Sequence, residues 1–492
     1  MEYNELTRII REKSPDESIK ELKKGRGKLP LSIEEVNEQL TPSEHKVMKQ
    51  AFRPDKLVKR DPDEDELTEN TLSVTGEALP VTKKRIPVCR LPLGLQRLIT
   101  ERAVAFSFGN PVKVTADTDE NTTEADVFAA IKSVLRWAKI TSHDRQMARS
   151  VFTTTEVAEL WYTQEETNKY YGFDSSFRLR CALFSPSKGD KLYPYFNEVG
   201  DMIAFSREFT IDDGNKSTLY FETWTAESYT KWKQDGDWVV VEGFPKVNPI
   251  GKIPVIYARQ EETEWNSVQP LIERLETLLS NFGDTNDYHA SPKLFLTGDI
   301  RGFAKKGESG AVIEGEPGAT AQYISWQQAP ESVKLEIETL LRMIHTITQT
   351  PDISFDSVKG MNVSGVSLKL MFMDAHLKVQ SKSEIFDEYM QRRLSVIRAF
   401  LKKMNSKDAK FGEACDTITM YAELQPYMIN DQASLINMLL LANGQKPIMS
   451  QKTAISELDW VADPDAELEQ INKESAFAQL AELMRQQEPT NL

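Results

Sequence analysis

Between Glu261 and Asn286, apolar side chains recur three and four residues apart, at Trp265, Val268, Leu271, Ile272, Leu275, Leu278, Leu279 and Phe282. That spacing places them on one stripe of a helix. Pro270 falls in the first half of this helix, where proline is best tolerated. A second stripe, Val333, Ile337, Leu340, Leu341, Ile344 and Ile347, predicts a helix over Glu331–Thr348. Between the two, KLFLTGD and GESGAVIEGEPGATAQYISW read as short strands with glycine-rich turns. The pattern predicts two helical legs joined by one small β unit.

Upstream the period changes. From Phe177 to Ala258, segments such as RLRCALFSP, KLYPYFN, MIAFSREFTI, STLYFETWT, YTKWKQ and WVVVEG are rich in β-branched and aromatic residues. EVGD, DDGN and QDGD separate them as turns, which predicts an antiparallel meander closed by NPIGKIPVIYA. LPLGLQRLITERAVAFSFGNPVKV reads as a helix followed by an extended segment. Further helices are expected over Glu124–Trp137 and Ser142–Val157. Downstream, Val366–Met404 predicts a very long helix of about 60 Å, with a bend where its apolar pattern thins at Gln380–Glu384. Gln425–Leu483 is expected to be helical, broken at Asp463-Pro464. The first 85 or so residues are highly charged, with short helices at Glu34–Leu40 and Ser43–Ala51. They read as a peripheral arm, with RDPDEDELTEN as a solvated linker.

Charge sharpens this picture. The chain has 492 residues and a net charge of −15, yet its first 90 residues hold 18 basic and 18 acidic side chains. All the excess acid lies beyond them, and residues 425–492 carry 4 basic against 10 acidic. A conventional nucleic-acid binder carries a basic face. Either DNA is not a partner or it must not be gripped tightly. The longest apolar run, INMLLLA, is far below the roughly 20 residues of a membrane helix. The charged N-terminus lacks a signal-peptide pattern, so the expected setting is a cytoplasm, with no membrane. The three cysteines form no CxxC pair and the five histidines no HxxxH pair, so neither metal nor disulfide framework is expected.

Candidate chemistry is sparse. FDSVKGMNVSGVSLKL has the GxxxxG spacing of a phosphate loop at Gly360 and Gly365. However, Val366-Ser367 follows where Lys-[Ser/Thr] is required, and a helix precedes where a strand is required. Pro351–Ser364 reads as an unusually long inter-helix connection, with Lys359 as its one cation. Asp61, Asp63, Glu64, Asp65 and Glu66 read as solvated, and Asp212-Asp213-Gly214-Asn215 as a hairpin turn rather than a calcium loop. Cys181 reads as a small buried side chain, and Trp224, Trp232 and Trp238 as core. No nucleophile–base arrangement emerges, so no enzyme and no cofactor is expected.

The order of elements is more telling than any motif. LPLGLQRLITERAVAFSFGNPVKV resembles the first wing helix and following strand of the portal proteins of tailed bacteriophages, in the group best known from siphophages. NPIGKIPVIYARQEETEWNSVQPLIERLETLLSNFGDTNDYHASPKLFLTG resembles that family's passage from wing through stem helix into clip. PDISFDSVKGMNVSGVSLKLMF resembles its tunnel loop and the start of its long wing helix, and QKTAISELDWVADPDAELEQINKES its crown end. The resemblance spans about residues 88–480.

It implies an α+β portal fold. The parts would be a charged N-terminal arm (1–87) and a wing of helices plus antiparallel β meander (88–262). A two-helix stem (263–290 and 331–350) would flank a small β-containing clip (291–330). A tunnel loop (351–364), a long wing helix and return (365–424) and a helical crown (425–492) would follow. It further implies a ring, usually of twelve subunits, at one capsid vertex of the virion, assembled in the host cytoplasm. Double-stranded DNA would pass through the channel, weakly and without sequence preference. Implied partners are the terminase large subunit, the major capsid and scaffolding proteins, and a head-completion or adaptor protein.

On this view Lys359, Asn362 and Ser364 face DNA, and Gly360 and Gly365 act as loop hinges. The reading further holds that one subunit cannot bury both leg stripes alone. Leu271, Leu275, Leu278, Leu340 and Ile344 are then expected at the ring interface. Two alternatives stay open: another head–tail connector or adaptor ring, and a nucleotide-binding enzyme using the Gly360–Gly365 loop.

Overall fold

The computed structural model describes residues 3–59, 83–119, 121–214, 216–290, 293–297, 320–324, 330–352, 372–427, 450–456 and 466–474. These fall into two units, residues up to 352 with 372–427, and residues 450–456 with 466–474. In the second unit Gln451–Ser456 and residues 466–474 are helical.

Three short helices open the chain: α1 (Tyr3–Glu12), α2 (Pro15–Lys23) and α3 (Ile33–Leu40). Ser14 caps α2 ahead of Pro15, and Ser32 with Glu35 forms a capping box on α3. The segment read as a peripheral arm packs into the molecule. Leu6, Ile19 and Leu22 are buried against Tyr193, Ile203, Phe221 and Trp232. After strands β1 (Lys56–Lys59) and β2 (Lys83–Ile86), which pair antiparallel, come α4 (Leu95–Phe108), β3 (Lys113–Ala116), α5 (Thr123–Trp137) and α6 (Ile140–Thr154).

Here the strand pattern departs from expectation. Helix α6 stops at Thr154, and Thr155 takes a left-handed conformation with φ 63° while donating its N–H to Val151 O. A β-branched residue is an unusual choice there, so no glycine announced the helix end. The strand it launches, β4 (Glu156–Asn168), was missed because Glu159 occupies an inward position. Its partner β5 (Ser175–Phe184) therefore pairs back to β4 rather than forward. The expected meander is two sheets. One has the order β12-β4-β5, with β12 at Val255–Arg259. The other has the order β10-β9-β8-β7-β6, built from β6 (Lys191–Phe196), β7 (Met202–Asp212), β8 (Ser217–Trp224), β9 (Ser228–Asp235) and β10 (Asp237–Val240). Short β11 (Lys246–Val247) also pairs with β9. The Asp212–Ser217 pairing closes the expected hairpin turn, and Trp224 and Trp232 are buried.

A 3-10 turn at Asn266–Val268 precedes α7 (Gln269–Ala290). The α-helix starts eight residues later than the expected Glu261, because Pro270 lacks an N–H and suits a first turn. β13 (Lys293–Thr297) and β14 (Thr320–Ile324) pair antiparallel and lead back into α8 (Pro330–Ile347). The long helix α9 is described over Met373–Met404, followed by α10 (Ala409–Thr417) and β15 (Met420–Glu423), which pairs with β3. Phe386, Tyr389, Met390, Leu394, Ile397 and Leu401 of α9 lie in the largest core, against α4, α5 and α6.

Candidate functional site: the helical hairpin and its base

Helices α7 and α8 bury their stripes on each other. Leu275 and Ile344 are each 0% exposed within one chain, Leu278 and Leu340 are buried, and Leu271 packs beside them. Val36 of α3, Ile99 of α4, Trp265 and Val268 complete this core. The premise that one subunit cannot cover both stripes is thus corrected. The stripes face each other, and α3 and α4 close the open side. Arg274 reaches across to Glu336 at 2.8 Å on the exposed flank. What the chain leaves uncovered on α8 is Leu335 at 65%, Met343 at 45% and the last residue of the stripe, Ile347, at 47%.

The opposite side of α7 carries a polar stripe that the helical period did not flag as structural. Backbone N–H groups of Cys89, Leu91 and Leu93 donate to Asp284 Oδ1 (2.8 Å), Ser280 Oγ (2.9 Å) and Glu276 Oε1 (2.7 Å). The chain segment between β2 and α4 thus runs as a strap against the direction of α7. Two residues of extended chain span about 6.6 Å and four residues of helix about 6.0 Å, so the two repeats match. Pro92 falls between inward-facing N–H groups, where none is required. Gly283 leaves the space the strap needs, since a Cβ there would lie 2.7 Å from Cys89 Sγ.

Residues 45–53 continue the wrapping. Arg53 reaches Asn281 and Asp284, both at 2.6 Å, and Lys46 reaches Glu273. Buried His45 bonds through Nε2 to Gln39 O (2.9 Å) and through Nδ1 to Glu276 Oε1 (2.6 Å). Burial alone would lower the His45 pKa; the Glu276 carboxylate, with help from Gln39 O and Glu273, raises it.

At the base of the hairpin, Glu264 is buried between Lys378 and Lys382 of α9, each at 2.6 Å. Lys378 also donates to Thr348 O (2.9 Å) just beyond α8, and Lys382 to Gln260 Oε1 (2.8 Å). Burial opposes the charge on Glu264, and the two lysines more than offset it, so its pKa is lowered. One buried carboxylate thereby ties the approach to α7 and the end of α8 to the start of α9. Beyond Thr348, Arg102 Nη1 donates to Pro351 O (3.0 Å). On the far side, buried Phe372 packs edge-on to Phe106 with centroids 5.6 Å apart. Both flanks of residues 353–371 are therefore fixed to α4. Lys359, Gly360, Asn362, Ser364 and Gly365 lie outside the described residues.

Farther along α9, Glu159 accepts a bidentate fork from Arg393, Nε to Oε1 at 2.8 Å and Nη2 to Oε2 at 2.6 Å. Tyr389 OH (2.8 Å), His143 Nε2 (3.0 Å) and Trp161 Nε1 also bond to it. Burial would raise the Glu159 pKa, but Arg393 and His143 hold it well below the usual carboxylate range. Asp144 Oδ1 lies 2.7 Å from Arg393 Nη2 but makes no aligned hydrogen bond. The fork is spent on Glu159, so for Asp144 burial wins and its pKa is raised. Glu159 thus accepts from four side chains. The network clamps α9 to α6 and β4 and presents no free nucleophile. Cys181 faces His143 Nδ1 at 3.6 Å, and burial pushes its thiol pKa up to about 12, far from a reactive thiolate.

An element order of helices, antiparallel sheets, a two-helix hairpin and a long return helix is now in hand. The family model for phage portal proteins, SPP1 Gp6-like, matches residues 35–479. The chain belongs to this portal protein family. The family is one of structural proteins of the bacteriophage virion rather than of enzymes. No curated protein matches the chain. Among solved structures, a chain in the neck of an empty GTA particle computed with C6 symmetry is 10% identical, with a TM-score of 0.38 over 74% of this chain and 89% of that one. A chain in the virion of the native gene transfer agent (GTA) particle gives 8% and 0.37 over 73% and 86%. One in the neck of the native GTA particle computed with C12 symmetry gives 9% and 0.37 over the same shares. Among the described residues no group of His, Cys, Asp and Glu is arranged to hold a metal, and no helix is long and apolar enough to cross a membrane.

Proposed function

We propose that this portal-family chain assembles into a closed ring, usually of twelve copies, at one capsid vertex. Its channel passes double-stranded DNA during packaging and ejection. The observation that carries the reading is the family match across residues 35–479. On this reading α7 and α8 form the stem, the β13–β14 pair belongs to the clip, and the two sheets with α4–α6 form the wing. Helix α9 is the long wing helix, and residues 425–492 form the crown. The terminase large subunit docks during packaging and a head-completion or adaptor protein afterwards. Major capsid and scaffolding proteins surround the ring as it assembles in the host cytoplasm.

The loop at 351–364 meets the DNA through Lys359, Asn362 and Ser364, with Gly360 and Gly365 as hinges. A single lysine per copy suits a channel in which DNA must slide, because each added phosphate contact releases counterions and strengthens the grip. Fixed flanks at Pro351 and Phe372 would support such a loop. Leu271, Leu275, Leu278, Leu340 and Ile344 serve the ring by setting the hairpin's shape, and Leu335, Met343 and Ile347 supply its contact with the next copy. Native mass spectrometry and particle images of the purified chain test this. A flared, stemmed closed ring supports it; a chain that stays monomeric, or forms a thin adaptor-like ring, overturns it. Lys359→Ala rings that package and retain DNA at the normal rate would remove the loop's role.

A further inference from the structure

We propose that the groove between the C-terminal half of α9, α10 and the loop 249–252 is a docking site for an acidic, partly apolar peptide segment of another protein. The groove has a volume of about 650 Å³. Four cations line it, Lys252, Arg398, Lys402 and Lys403, over an apolar floor that includes Pro249, Ile250 and Ala399. Among the described residues, Lys402 alone of these four has a carboxylate ion-pair partner, Asp416. Among the described residues no carboxylate forms an ion pair with Lys252, Arg398 or Lys403. In a chain of net charge −15, the four cations of this hollow outnumber its carboxylates, Asp408, Glu413 and Asp416, by one, and three of the four have no carboxylate ion pair among the described residues.

Neutral groups hold two of these cations in place. Lys252 Nζ donates to Ser395 Oγ at 2.7 Å, and Arg398 Nη1 to Ile418 O at 2.8 Å. The loop that carries Lys252 is itself fastened, because Asn248 Nδ2 donates both to Lys252 O (2.7 Å) and to Thr225 O (2.8 Å). Gly251 sits there at φ 66°, a conformation that favours glycine. Burial and the nearby Arg398 lower the Lys252 pKa, a strain that an incoming carboxylate relieves. The hollow continues past Lys252 and Ser395 into a second one of about 490 Å³, lined by Met202, Ile253 and Val396. The combined track offers cations beside apolar surface.

That mixture favours a peptide over nucleic acid. A nucleic-acid strand carries a phosphate charge about every 3.4 Å, and Asp408, Glu413 and Asp416 on the same lining would stand against such a run. Carboxylates spaced by apolar side chains avoid those acids and use the floor.

The test is fluorescence anisotropy on the full-length protein. The probes are a labelled peptide of repeating Asp-Leu-Glu-Ala, its Lys-Leu-Lys-Ala counterpart and a short DNA duplex. The acidic peptide is expected to bind, and to weaken about tenfold or more in Lys252→Glu/Lys403→Glu, as loss of close charge pairs would produce. A charge-matched control, Lys169→Glu/Lys216→Glu, reverses two exposed lysines elsewhere and is expected to leave binding unchanged. The neutral Lys252→Met is expected to weaken binding less than the double reversal. Equal weakening in both double variants would reduce the effect to net charge and overturn the site. So would no binding of the acidic peptide, or a duplex whose binding depends on Lys252 and Lys403 while the peptide's does not.

Discussion

Leu91 donates its backbone N–H to Ser280 Oγ at 2.9 Å, and Ser280 is fully buried. This is the middle rung of three that bind the strap to α7. Ser280→Ala removes the partner of a part-buried N–H, at a cost of about 1 kcal/mol. Hydrogen exchange at Leu91, compared between the two proteins, is expected to accelerate while the core around Phe386 keeps its protection. Unchanged exchange at Leu91 would mean the rung bears no load.

His45 makes the same wrapping pH-dependent. Its folded pKa is raised above its ordinary value of 6.5. Its contribution is therefore fully present below about pH 6.5 and is lost as pH rises through the folded pKa. Limited proteolysis of residues 30–59 is expected to quicken as pH increases across that window. His45→Gln is expected to flatten the profile.

Gly283 lies where the strap touches α7. Gly283→Ala favours the isolated helix by about 1 kcal/mol, but the new methyl would meet Cys89 Sγ at 2.7 Å. The strap is expected to lift, so Cys89 should react faster with a thiol reagent. The reactivity of buried Cys415 should stay at its original rate.

Arg393 stands in the interior with Glu159. Arg393→Met strands that carboxylate and is expected to destabilise the chain by about 3–5 kcal/mol, read as a lower urea midpoint. Joint replacement of Arg393, Glu159 and Asp144 by apolar residues is expected to cost less than the single change. The folded pKa of Glu159 is depressed from 4.5. Its stabilisation is therefore complete above about pH 4.5 and is lost as pH falls through the folded value.

The two kinds of hairpin leucine separate folding from assembly. Leu275→Asp buries a charge inside the chain and is expected to abolish soluble expression. Leu335→Asp, at a site 65% exposed, is expected to leave the fold intact and shift rings toward monomers in native mass spectrometry. Rings of normal stability in Leu335→Asp would place the contact face elsewhere.

Much of this architecture was legible in the order of residues. Apolar period alone located both hairpin helices, the strand-rich stretch and α9, because burial on one face imposes a repeat whatever covers that face. The family likeness was legible too, through four segments in the right succession. Sequence also argued against a phosphate loop at Gly360–Gly365, since the pattern needs a Lys-[Ser/Thr] that is not there.

What covers each face was not legible, because the repeat is blind to the partner. Leu275 and Ile344 read as surfaces awaiting a neighbour, and only the tertiary structure decided that they meet each other under α3 and α4. Glu276, Ser280 and Asp284 lie off the apolar stripe and carry no signal in its period, yet their acceptors are taken by a strap whose donors lie some 190 residues away in the chain. Glu159 hid a strand for the same reason. A buried carboxylate looks like an exposed one until Arg393, more than 230 residues distant, arrives to neutralise it.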